Sequence, residues 1–188
     1  MKKDENLVES FRPASQAHWR QWLEKNHDKT DSVWLIYHKK ESNIPSVTHA
    51  EAVEEALCFG WIDSKRQKLD DQSFRQFFGK RKPKGMWSKI NKATIRRLTK
   101  EGKMHQAGLD IIAMAKKNGA WTMLDEVEEL IAPPDFIKAL KKSKVALKNY
   151  EALARSNKRL ILLSLVQAKR PETRAQRIKS IVTNLYNK

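Results

Sequence analysis

Two groups of residues have the types and spacing to do chemistry. The first centres on Asp63, which follows Trp61 and Ile62 and precedes Ser64, Lys65 and Arg66. A carboxylate set between bulky apolar groups and strong cations can be a buried orienter, a general base or one half of a structural ion pair. No nucleophile pattern accompanies it, so the structural pair is the favoured reading, with Trp61 and Asp63 as a candidate pocket. The second group spans residues 75–92. Arg75, Lys80, Arg81, Lys82, Lys84, Lys89 and Lys92 alternate with Phe77, Phe78, Met86 and Trp87, and Phe74 stands just ahead. Cations in a loop contact phosphate oxygens, and an exposed aromatic ring can stack on a base. Together with the neighbouring strand this gives Lys65, Arg66, Arg75, Arg81, Lys82, Lys84, Trp87 and Lys89 as candidate binding residues. The competing reading is that these aromatics are core and these cations merely solvated.

Other chemistries lack their residues. His18, His27, His38, His49 and His105 are scattered, without the i, i+4 partner of a zinc helix. There is no G-x-S-x-G, no P-loop and no G-x-G-x-x-G, so no catalytic residue is assigned and neither metal nor cofactor is expected. Cys58 is the single cysteine, which excludes an internal disulfide and suits a reducing compartment. The first residues, MKKDENLVESFRPASQ, lack the apolar core of a signal peptide. No apolar run approaches a membrane span, since LILLSLV at 160–166 is too short. The expectation is a cytoplasmic protein.

The elements that must position these residues can be read from pattern. Ser15 caps a helix through about Asn26, with Trp19, Trp22 and Leu23 on one stripe; residues 1–14 read as an irregular arm. Ser32 to Lys39 is β-branched and aromatic and reads as a strand buried on both faces. Thr48 and Glu51 form a capping box for a helix through Cys58, with Ala52, Val53, Ala56 and Leu57 inward and Glu51, Glu54 and Glu55 elsewhere. Gly60 suits the turn that follows, and Cys58 reads as a packed thiol. Trp61–Leu69 and Ser73–Lys80 read as strands joined by a short hairpin turn. From Ser88 the chain is helical: 88–101, 106–118 with Leu109, Ile112 and Ala113 inward, a short helix near 123–131, then 134–141, 143–153, 156–169 and a last helix from Pro171. The fold class is α+β: a small antiparallel sheet with packed helices over about residues 1–100, then a helical region over 101–188.

Charge is strongly segregated along the chain of 188 residues, whose formal net charge is +16. Residues 65–103 hold 14 Lys/Arg against 3 Asp/Glu, and residues 138–188 hold 14 against 2. Residues 41–63 have five carboxylates and no Lys or Arg, and the acidic segment 104–137 holds 6 Asp/Glu against 2 Lys/Arg. Such a polarised excess points to an anionic partner: nucleic acid, an acidic membrane or an acidic protein. Cations at 169–177 sit at a helix start, where they oppose the dipole; a docked carboxylate from the acidic segment is the favoured reason.

Three stretches, EALCFGWIDSKRQKLDD at 55–71, WSKINKATIRRLTKEGKMHQAGL at 87–109 and AKRPETRAQRIKSIV at 168–182, resemble the YdeI/OmpD-associated, or bacteriocin-protection, family. The helix–turn–strand–hairpin unit is similar, more loosely, to the YjbR/CyaY-like superfamily. That resemblance implies a sheet with a helix packed across it, and a loose link to resistance against antimicrobial peptides. The frataxin-like branch would imply an acidic iron-binding ridge; only Glu51, Glu54 and Glu55 could supply one, and iron is not expected. The functional expectation is a non-enzymatic binder of an anionic partner such as nucleic acid. Two alternatives stay open: a stress or antimicrobial-peptide resistance factor acting through a protein partner, and an enzyme with an Asp63-centred pocket. The oligomeric state is left open.

Overall fold

The computed structural model describes residues 8–187; the start of the expected arm, residues 1–7, lies outside them, as do Lys188 and the Lys40 side chain. Two compact units form. One ends at Gly85 and takes up again over Ile90–Ala120; the other joins Met86–Lys89 to the chain from Trp121 onward.

The first unit is built on a four-stranded mixed sheet of order β1-β2-β4-β3, with β1 Ser10–Phe11, β2 Ser32–His38, β3 Trp61–Lys68 and β4 Ser73–Lys80. β2, β4 and β3 pair antiparallel, as expected of the hairpin and of the α+β class. β1 is an addition: within the arm, two residues pair parallel to β2, Ser10 with Trp34 and Phe11 with Leu35. Nothing in a two-residue pairing leaves a periodic signal.

Helix α1 (Gln16–Asn26) starts where Ser15 accepts from the His18 amide, and α2 (His49–Cys58) starts at the expected capping box. Both lie on one sheet face, where Trp19, Leu23, Ala52 and Ala56 meet Val33, Leu35, Tyr37, Trp61 and Phe78. The Trp19 indole donates to the Ala52 carbonyl at 3.1 Å, which satisfies its buried N–H.

Two expectations are corrected here. Glu55 does not face outward: it is 5 % exposed, accepts from Gln16 at 2.7 Å and from Arg20 at 2.8 Å, and so ties α2 to α1. The inward stripe of α4 (Gln106–Lys117) is Gly108, Ile112 and Ala115; Leu109 and Ala113 are exposed. The reason is a close approach. A Cβ on Gly108 would collide with the Cys58 carbonyl oxygen, and the His105 amide donates to that same oxygen at 3.1 Å. A helix seated on its glycine turns the flanking leucine outward. Gly60, at φ 74, makes the turn from α2 into β3 that ordinary residues resist. Helix α3 (Lys89–Lys100) adds Ile95 and Leu98 as buried residues.

The second unit packs α5 (Asp125–Glu128), α6 (Pro134–Leu140), α7 (Lys144–Glu151), α8 (Arg155–Val166) and α9 (Pro171–Tyr186) around Leu124, Val127, Phe136, Leu140, Tyr150, Leu162, Leu165 and Leu185. Its basic helix start has the internal partner expected of it: Arg174 reaches both Asp135 oxygens, at 2.6 and 2.9 Å. Arg159 likewise pairs with Glu128 at 2.9 Å.

Two substitutions test this account by urea denaturation. Gly108→Ala is expected to lower stability by about 1–3 kcal/mol, the usual cost of overpacking. Thr48→Ala, which removes the α2 cap, is expected to cost about 1 kcal/mol.

Candidate functional site

An irregularity in β3 decides where its charged residues point. Asp63 pairs with Phe78 and Arg66 with Gln76, so three steps on β3 match two on β4. On a regular strand Asp63 and Arg66 would lie on opposite faces; the extra residue brings them to the same one. That face is the one α2 covers. His49, the first residue of α2, turns its Nε2 to Asp63 Oδ2 at 3.0 Å. A carboxylate only accepts, so Nε2 carries the hydrogen. The Gln76 amide donates to the same oxygen at 3.0 Å, and also to the Ser64 carbonyl at 3.0 Å. Asp63 is half-buried, and its hydrogen-bond partners are a histidine and an amide, where an ion pair with Lys or Arg was expected.

Beside this pair lies a cleft of about 440 Å³, lined by Tyr37, Lys39, Ser46, His49, Arg66 and Phe74 among others. The Arg66 guanidinium lies 3.5 Å over the Phe74 ring, and Phe74 stacks on Tyr37 at 4.8 Å. Burial and the Asp63 charge both push the Tyr37 hydroxyl above its ordinary range. Trp61 is fully buried in the core, paired with Lys80 at the other end of β4 from Phe74, and does not line the cleft.

On the opposite face of the hairpin, Arg75 lies 4.2 Å over Trp34 and donates to Gln67 at 3.0 Å, while Lys65 lies 5.9 Å over Phe77. Phe77 is thus covered by a cation of its own sheet, as Phe74 is by Arg66 on the other face. Lys82 and Lys84 stand exposed in the turn after β4. Arg81 is only 7 % exposed; burial pushes its guanidinium down and the Asp63 charge works the other way. Trp87 is 1 % exposed, with its ring 5.1 Å from Trp121, and so offers no open face to a base. Lys89 is paired with Glu129 at 3.1 Å, and both it and Trp87 belong to the second unit. Lys65 and Arg75 are therefore brought to one face of the hairpin and Arg66 to the other.

Sequence reasoning missed Tyr37 and His49, and read Phe74 only as an aromatic beside the basic stretch. The capping box did place His49 at the head of α2, but nothing in the sequence pairs it with Asp63. The carboxylates of α2 are all engaged: Glu51 in the cap, Glu54 with Arg97 and Glu55 with Arg20. Among the described residues no cluster of three or more His, Cys, Asp or Glu could hold a metal.

A family model described as "Domain of unknown function (DUF8412)" matches residues 11–111, more than half of the chain. The chain belongs to that family. Residues 129–187 match a second model, described as "Bacteriocin-protection, YdeI or OmpD-Associated". The likeness read from the sequence thus holds over the C-terminal helices, and neither model bears the YjbR/CyaY-like label. No curated protein and no solved structure matches the chain. Among the described residues no helix is long and apolar enough to cross a membrane.

Cys58 lies beneath the end of α2, where burial first and the Glu55 charge second push its thiol from 9.0 to about 11. The unfolded thiol ionises at the lower value. The stability linked to this thiol is therefore complete below pH 9 and is lost as pH rises through 11. Cys58→Ala should flatten the fall in stability between those values, and a thiol reagent at pH 8 should label the chain only after denaturant is added.

Proposed function

We propose that the protein binds an anionic partner, nucleic acid being the class its surface suits best, along the β3–β4 hairpin and the turn after it. The single observation that carries this reading is the pair of cations resting on aromatic rings on one face of the hairpin: Arg75 on Trp34 and Lys65 on Phe77. A guanidinium laid on a ring keeps its N–H donors in its own plane and loses rotamer freedom before any ligand arrives. Phosphate oxygens then meet donors whose ordering cost has already been met. Lys82 and Lys84 extend the same charge as exposed, mobile contacts. Burial of Trp87 removes base stacking at that position, so the reading is one of backbone contacts without sequence preference.

The test is a salt titration of binding to single-stranded and duplex DNA. Binding is expected at about 50 mM salt and should fall steeply as salt rises. The pair Lys82→Glu and Lys84→Glu should weaken it at least tenfold and reduce the salt slope by roughly two. No binding at low salt would end this reading.

A second reading has its own support, the match of residues 129–187 to a family described by bacteriocin protection. On it the chain contributes to resistance through a protein partner. Cells lacking the protein would then be more sensitive to a bacteriocin panel, and a pull-down would return one protein whether or not nuclease is present.

A further inference from the structure

The cleft between the hairpin and the head of α2 has features that a polymer-binding surface does not need. Its Tyr37 side chain is 1 % exposed, and among the described residues the hydroxyl has no hydrogen-bond partner. A buried hydroxyl left in that state costs free energy, and such groups are otherwise nearly always satisfied. Arg66, 3.5 Å over the Phe74 ring, lines the same cleft. Phe74 in turn stacks on Tyr37 at 4.8 Å, so Arg66, Phe74 and Tyr37 meet in one lining. Asp63 is itself engaged by His49 and Gln76. The further charges on the lining are Lys39 and Glu41. A volume of about 440 Å³ suits a small molecule.

The geometry points to a binding site in this cleft for the oxyanion group of a small molecule, a carboxylate or a phosphate, with Arg66 as the bidentate donor and the Tyr37 hydroxyl as the donor at the floor. Two oxygens on one centre match the guanidinium fork. Tyr37 meets the ligand as a neutral hydroxyl, so it gives a hydrogen bond and adds no charge. His49, fixed by Asp63, walls the cleft and leaves its Nδ1 to the rest of the ligand. This inference goes beyond the hairpin reading and does not rest on it.

The full chain, isotope-labelled, would be titrated with inorganic phosphate and separately with acetate, at constant ionic strength against chloride. Saturable NMR shifts are expected at the Arg66 Nε–H, the Tyr37 ring and His49, with one anion at least tenfold tighter than the other, which identifies the source. Arg66→Ala should weaken that anion tenfold or more. Tyr37→Phe keeps the stack on Phe74 and should weaken it severalfold; an unchanged amide spectrum establishes that the variant is folded. Lys82→Glu with Lys84→Glu should leave anion binding intact, so a chain that fails to bind DNA but binds phosphate through Arg66 separates the two proposals. Shifts that chloride reproduces, or that persist unchanged in both Arg66→Ala and Tyr37→Phe, would overturn the assignment.

Discussion

The fixing of α2 at both ends is the constraint on which the sheet-bearing unit depends. At its start, Thr48 and Glu51 satisfy the first amides reciprocally. At its end, Gly60 turns the chain sharply, and Gly108 lets the backbone of α4 lie against the Cys58 carbonyl. A helix held this way has no freedom to slide along the sheet. Its Glu55 is then obliged to find cations inside the structure, and Arg20 of α1 supplies one. The same constraint sets the position of His49, because the first residue of a capped helix cannot fray away from Asp63.

Function-bearing geometry follows from that anchor and from one irregular step in β3. The step moves Arg66 onto the face where α2 lies, over Phe74 and beside Tyr37. Arg75 and Lys65 remain on the other face, over Trp34 and Phe77. One basic stretch is therefore divided into two surfaces of different character. The covered face has a cleft whose lining includes Tyr37, His49 and Arg66. The other face carries Arg75 and Lys65 on their rings, and the turn after β4 carries the exposed Lys82 and Lys84.

The second unit uses its charge differently. Arg159 and Arg174 meet Glu128 and Asp135, so part of the basic C-terminal block balances the acidic segment before it. Its core is made by apolar residues of short helices, Phe136 against Tyr150 among them. A raw net charge overstates what such a unit can offer a ligand, since each internal pair withdraws a cation from it.

Sequence alone determined the elements whose cause is local. The capping box at Thr48 and Glu51, Ser15 as a cap, the hairpin strand Ser73–Lys80 and Pro171 as a helix start are set by side chains within four residues of the backbone they organise. The α+β class follows from their order. Only the tertiary structure decided the rest, because its causes are contacts between distant segments. The inward turn of Glu55 needs Arg20, thirty-five residues away. The outward turn of Leu109 needs the carbonyl of Cys58. The cleft needs Tyr37, His49, Asp63, Arg66 and Phe74 from three strands and a helix, assembled by a strand irregularity that no residue pattern marks. Asp63 was legible as a residue of interest; that its partner would be a histidine at a helix head was not.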